Sequence, residues 1–183
     1  MRAHVALLRG INVGGKNGLP MKTLAAMFAD AGCADVQTYI QSGNVVYRAS
    51  DKAASRVAKV VERAIAEELG LDVPVTTRTA LELGEVARAN PFPRGRGCDP
   101  SSLHVVFLAS TPTPAKLATL DPKRSPPDEL AARGREIYLR CPNGIGRSKL
   151  TNAYFDRTLG TVSTVRNWRT VLQLLAMVTA RGS

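Results

Sequence analysis

The chain has little with which to run ordinary catalysis. It holds two histidines, His4 and His104, each at the start of an apolar run. No Ser-His-Asp, Cys-His or paired-carboxylate set emerges from the spacing, so acid–base and nucleophilic chemistry have no recognisable seat. Both histidines read as partly buried strand residues rather than bases. The three cysteines, Cys33, Cys98 and Cys141, are far apart and form no C-x-x-C pair. That excludes a disulfide framework or a zinc site, and neither a metal nor a cofactor is expected. Aromatic residues make up 5% of the chain, which argues against base stacking as the main binding mode. No run approaches the roughly 18 apolar residues of a membrane helix. The first residues lack the basic–apolar–small pattern of a secretory signal. A cytoplasmic protein without a membrane partner is expected.

What is present suits a globular protein. Of 183 residues, 44% are apolar and 22% charged, enough for a core and a solvated surface. The net charge of +10 is unevenly placed: residues 101–183 carry twelve basic and five acidic side chains. A basic region favours anionic partners such as phosphate groups or nucleic acid.

The first eighty residues parse as strand (His4 to Leu8), helix from Pro20, strand (Val36 to Ile40), strand (Asn44 to Arg48), helix from Asp51, and strand (Val73 to Thr77). That order, β-α-β-β-α-β, is the split unit of ferredoxin-like folds. Thr79-Ala80-Leu81-Glu82 reads as the capping box of a further helix. Residues 90–101, rich in proline and glycine, read as a linker. The second half repeats the pattern loosely. It has a strand at His104 to Leu108, a short helix from Thr113-Pro114, a hairpin across Arg133-Gly134-Arg135, a helix from Ser148 to Leu159, and a last helix from Val165. In that last helix Trp168, Leu172 and Leu175 continue a core stripe from Val165. The expected fold is therefore α+β, two ferredoxin-like β-α-β-β-α-β halves packed together by duplication. The halves are 1–79 and 102–183, with 80–101 as helix and linker.

Four polar segments could carry chemistry. The first, Arg9-Gly10-Ile11-Asn12-Val13-Gly14-Gly15-Lys16-Asn17, satisfies the G-x-x-x-x-G-K of a phosphate-binding loop. The next position should be a Ser or Thr to hold Mg²⁺, and it is Asn17. The helix also begins several residues late, and no strand ends in a metal-holding Asp. Nucleotide hydrolysis is not expected, but glycine N–H groups and a cation remain available to an anion. The second segment, Gln41-Ser42-Gly43-Asn44, presents amides and a hydroxyl, and it also has the composition of a hairpin turn. The third, Asn143 to Asn152, places Arg147, Ser148 and Lys149 where a glycine loop feeds a helix. The fourth holds Arg166 and Asn167 beside Trp168, with Thr164 as helix cap.

Taken together, Leu8 to Asn17, Tyr39 to Val45, Ser148 to Asn152 and Thr164 to Val171 resemble a bacterial family, DUF1697, a domain of unknown function. The likeness runs in order along nearly the whole chain. Arg169 stands where that family commonly has a small polar residue. The resemblance implies two ferredoxin-like halves and supplies no activity. The leading expectation is a protein binding a small anionic or phosphate-bearing ligand in the crevice between its halves. Arg9, Asn12, Gly14, Gly15, Lys16, Gln41, Ser42 and Asn44 would come from the first half. Arg147, Ser148, Lys149, Asn152, Arg166 and Asn167 would come from the second. The alternatives are a nucleic-acid-binding module using the basic C-terminal part, and a metal-independent enzyme acting on a nucleotide or phosphorylated metabolite. Oligomeric state is not legible.

Overall fold

A computed structural model of the chain describes residues 1–15, 17–92 and 99–181. Lys16, and residues 93–98 of the expected linker with Cys98, lie outside the described residues. By contacts the chain forms two compact units, Met1–Gly84 with Gln173–Ser183, and Glu85–Leu172. The described residues form two four-stranded antiparallel sheets and seven helices. None of the described helices is long and apolar enough to cross a membrane.

In unit 1 the elements are β1 (Arg2–Leu8), α1 (Met21–Asp30), β2 (Ala34–Tyr39), β3 (Asn44–Ala49), α2 (Asp51–Ala54), α3 (Val57–Leu69), β4 (Val75–Thr79) and the start of α4 (Ala80–Arg88). The sheet order is β2-β3-β1-β4. Ala6, Leu8, Val45 and Tyr47 share one face with Leu24, Met27 and Phe28 of α1 and Val57, Val61 and Ile65 of α3. The i, i+4, i+8 spacing in α3 builds that stripe, and Gly70 ends the helix in the left-handed region at φ 66°. The alternate residues Val5, Leu7 and Val46 are fully buried as well, so both faces of this sheet are covered. In the same cross-strand rows lie Asn44 and Thr76 opposite Leu7, and Arg78 opposite Val5. Such double burial explains why these strands read as nearly continuous apolar runs.

Unit 2 contains β5 (Leu103–Leu108), α5 (Pro114–Leu117), β6 (Glu129–Arg133), β7 (Glu136–Arg140), α6 (Asn152–Leu159), β8 (Ser163–Asn167) and the start of α7 (Trp168–Thr179). Its sheet order is β6-β7-β5-β8. Val106, Leu108, Ile137 and Leu139 pack with Tyr154, Phe155 and Leu159 of α6. The capping box is formed: Thr79 N–H donates to Glu82 Oε2 (2.7 Å) and Glu82 N–H to Thr79 Oγ1 (3.1 Å). The hairpin across Gly134 and the Thr113 cap are also as the sequence indicates.

Three local expectations are corrected. The helix expected from Ser148 starts at Asn152 with Thr151 as its cap, because Ser148 Oγ accepts from Leu150 N–H in a tight turn instead. The helix expected from Val165 starts at Trp168, because residues 163–167 complete the sheet beside β5. Thr164 is therefore a strand residue, and Asn167 Oδ1 accepts from Arg169 N–H. Later starts shift the helical phase. The buried stripe of α7 is Trp168, Val171, Leu174 and Val178, and Leu172 is 44% exposed.

The two histidines occupy matching strand positions and are both buried. His4 stacks on Tyr47, with centroids 5.4 Å apart. Burial lowers both pKa values. A histidine with a lowered folded pKa binds fewer protons folded than unfolded, so stability falls as pH drops below the unfolded value of about 6.5. The limiting slope is about 1.4 kcal/mol per pH unit for each histidine. Urea midpoints should decline from pH 7.5 to pH 5.5, and a double His4→Phe, His104→Phe variant should flatten that decline. An unchanged slope in the variant would remove the histidines as its cause.

Candidate functional site

The residues that follow β1 form a closed loop above one end of the unit 1 sheet. Its base is tied to neighbouring strands: Leu8 N–H donates to Gly43 O (2.8 Å) and Arg9 N–H to Pro74 O (3.1 Å). Asn12 fastens the middle. Its Nδ2 donates to Leu19 O and to Gln41 O, both at 2.9 Å, and its Oδ1 accepts from Leu19 N–H at 2.8 Å. Asn17 closes the ring, donating from Nδ2 to Gly10 O (2.9 Å) and accepting Asn12 N–H (3.1 Å). Positive φ at Gly10, Asn12, Gly14, Gly15 and Asn17 permits this path, and Asn is the non-glycine residue best suited to it. Both donors of Asn12 are thus spent on backbone, which makes it a fastener of the loop.

The loop and the Gln41–Asn44 turn meet. Gly43 sits against Leu8 and Ile11 so closely that a Cβ there would lie 2.6 Å from Leu8 Cβ. Asn44 is buried, its Nδ2 donating to Ser42 Oγ (2.9 Å) and Tyr39 O (3.2 Å). Two of the four polar segments are therefore one piece of structure.

Beside that junction opens the N-terminus of α1. Pro20 is the cap residue, and its side chain makes no capping hydrogen bond. The first intrahelical bond is Leu24 N–H to Pro20 O (3.0 Å). The N–H groups of Met21, Lys22 and Thr23 precede it and have no intrahelical acceptor. The first turn carries no acidic residue. A shallow depression of about 580 Å³ lies there, lined by Asn12, Gly18, Pro20, Met21, Lys22 and Gln41. The positive end of the helix dipole, the three N–H groups without an intrahelical acceptor and the Lys22 ammonium all bear on it. Lys22 was not singled out from the sequence. The signal for it was the helix start at Pro20, which placed Lys22 in the first turn.

In unit 2 the expected residues separate. Val165 packs into the core on the α6 side, and Ser163 Oγ donates to Asp156 Oδ1 of α6 (2.6 Å) and lies 3.2 Å from Asn152 Oδ1. Side chains alternate along a strand, so Arg166 projects from the opposite face. Arg147 and Lys149 are exposed on the loop that leads into α6. Lys149 N–H donates to Ser125 Oγ (3.0 Å), and Lys149 O accepts from Arg124 Nε (3.1 Å). Arg147, Ser148, Lys149 and Asn152 therefore lie on one side of this sheet and Arg166 on the other. Asn167 Nδ2 donates to Ser101 O (3.2 Å).

The Arg166 guanidinium is deep in protein although its surface is not fully closed, and burial pushes its pKa down to about 10. Its Nη1 donates to Val165 O (2.9 Å). Arg78 of unit 1, missed from the sequence, occupies the matching position on β4. It is only 2% exposed and donates from Nη1 to Thr77 O (2.8 Å). Its signal was a lone basic residue within Val75-Thr76-Thr77-Arg78-Thr79.

These features define an α+β protein of two antiparallel sheets with an open helix N-terminus under a glycine loop. The chain belongs to the family described as protein of unknown function DUF1697, whose model matches residues 1–138. A conserved bacterial protein, SP0830 from Streptococcus pneumoniae, has a similar structure. The match covers 97% of this chain and 98% of that one, with a TM-score of 0.69 and 22% identity, and at that identity the likeness concerns the fold alone. No functionally curated protein matches the chain.

Proposed function

We propose that the protein binds a small anionic, phosphate-bearing ligand at the N-terminus of α1. The observation that carries this reading is the uncapped first turn opening onto the depression between Asn12, Lys22 and Gln41. Anions are favoured at such a helix end, where N–H donors and the dipole act together. The glycine loop would wall the site, with Arg9, Gly14 and Gly15 as its contribution and Gln41 and Ser42 on the facing turn. A cytoplasmic setting belongs to the same reading. It is supported by Cys33 and Cys141, buried free thiols that burial pushes up to about 11.

A duplicated ferredoxin-like origin strengthens the proposal. The two sheets share one strand order, 2-3-1-4, when each is numbered from its own first strand. Leu108 N–H donates to Arg135 O as Leu8 N–H does to Gly43 O, and Ala109 N–H donates to Val162 O as Arg9 N–H does to Pro74 O. Thr164 and Arg166 repeat the positions of Thr76 and Arg78. Against this shared frame the connections differ. Residues 9–20 join β1 to α1, whereas residues 109–113, without a glycine, join β5 to α5. The fold makes the same connection with less than half the chain, so the glycine loop answers to something other than folding.

The test is calorimetry with inorganic phosphate, pyrophosphate and a nucleoside monophosphate, on the natural protein and on Lys22→Ala. One of the three should bind saturably, and Lys22→Ala should weaken it by about 1–2 kcal/mol. Binding unaffected by the substitution would refute the site. Steeply salt-dependent binding to single-stranded RNA, with none to the small anions, would replace this reading with the nucleic-acid one.

A further inference from the structure

A second cavity lies in unit 1 at the opposite end of β1. It has a volume of about 540 Å³ and is lined by Arg2 and Ala3 of β1, Arg48 of β3, Thr79 to Leu81 at the β4–α4 junction, Met1 and Arg181. Three arginines therefore line one small space. Their charge is only weakly answered. Arg2 Nε lies 3.7 Å from Asp51 Oδ1, with both side chains about three-quarters exposed, and Arg48 Nη1 lies 3.4 Å from Asp35 Oδ2. Pairs so long and so open contribute little. Arg181 is held by neutral groups, donating from Nη1 to Met177 O (2.9 Å) and from Nη2 to Gln37 Oε1. Arg48 Nε is buried without a hydrogen-bond partner. A buried donor left unmade is costly, and Arg48 Nη2 makes only a long contact to Met1 O (3.5 Å).

The rest of the wall is apolar. Leu81 is 81% exposed and Met1 67%, two of the most exposed large apolar side chains among the described residues. Ala3 and Ala80 complete that side. An arginine cluster selects a carboxylate or phosphate, which it can grip with paired N–H groups. An adjoining apolar wall selects what the anion is attached to, and the volume is that of an ordinary small-molecule site.

We propose that this cavity binds a small amphiphilic anion, an acyl or aryl carboxylate. Its head would lie on Arg48 and Arg181 and its body against Ala80, Leu81 and Met1. This site is separate from the one at α1, since it uses the other end of the sheet and none of the same residues.

The probe is octanoate, titrated by calorimetry into the natural chain, Arg181→Ala, Leu81→Glu and Lys22→Ala. Saturable binding is expected in the natural chain. Arg181→Ala should weaken it about tenfold or more through the lost charge-assisted bonds. Leu81→Glu should do likewise by setting a carboxylate at the mouth, while Lys22→Ala should leave octanoate untouched. Leu81 is exposed and Arg181 follows α7, and circular dichroism on each variant checks that folding is kept. Neutral 1-octanol and tail-less inorganic phosphate should fail to compete. No saturable octanoate binding, binding unchanged in both Arg181→Ala and Leu81→Glu, or equal competition by phosphate would each overturn the proposal. So would sedimentation with phosphatidylglycerol vesicles that octanoate does not displace, which would make the patch a lipid surface.

Discussion

Gly43→Ala should destabilise the protein by about 2–5 kcal/mol, the largest effect expected of so small a change. Two costs combine. At φ 74° an alanine enters the left-handed region, at about 1–2 kcal/mol. Its Cβ would also stand 2.6 Å from Leu8 Cβ and 3.0 Å from Ile11 Cδ1. Leu8 is a fully buried core residue, and overpacking of this kind costs about 1–3 kcal/mol. The comparison that isolates the clash is Gly10→Ala, where φ is also 74° and nothing lies within 4 Å of the new atom. Urea denaturation of both should show a clearly smaller loss for Gly10→Ala. Equal losses would mean that the backbone conformation, and not the packing of the turn on β1, sets the requirement. Anion affinity should fall in Gly43→Ala as well, because Gln41 O accepts from Asn12 and moves with the turn.

The second large effect is expected from Pro20→Asp. The position has extended geometry suited to a capping residue, φ −60° and ψ 137°, and Pro20 offers no side-chain acceptor. An aspartate there would accept the N–H groups of the first turn, which adds about 1 kcal/mol of helix stability. Loss of the proline's restriction on the unfolded chain takes back about 0.4–1 kcal/mol. Net stability should therefore stay within about 1 kcal/mol of the natural protein. Anion binding should fall by about tenfold or more, since a fixed carboxylate would hold the donors and repel the ligand. Preserved stability with lost binding separates this outcome from simple misfolding. If the affinity were retained, the anion would not lie at α1.

Much of the fold was legible because its signals are local. The capping box at Thr79, the hairpin across Gly134 and the stop at Gly70 each follow from a few neighbouring residues whose backbone needs are specific. The apolar runs gave the first four strands and β5 to β7 within a residue or two, but not the last strand, Ser163–Asn167. Failures came where a local preference competed with sheet completion. Val165 can start a helix by spacing, but β5 has an open edge that residues 163–167 fill, and ladder hydrogen bonds outweigh propensity there. Ser148 looks like a cap, yet its hydroxyl serves Leu150 and leaves Thr151 to begin α6.

For the site, the sequence determined the inventory. It supplied a glycine loop with near-phosphate-loop spacing, the Gln41–Asn44 turn and an excess of basic groups. Only the tertiary structure decided what those groups do. It turned Asn12 and Asn17 into fasteners, because an amide within reach of backbone carbonyls satisfies them before it can serve a ligand. It set Arg147 and Arg166 on opposite sides of one sheet, because strand alternation is blind to which residues share a polar chemistry. It gathered Arg2, Arg48 and Arg181, which are far apart in the chain, around one cavity. Distance along a chain and distance in space are related through strand pairing, and that pairing is settled by burial of both faces of a sheet rather than by any of these residues alone.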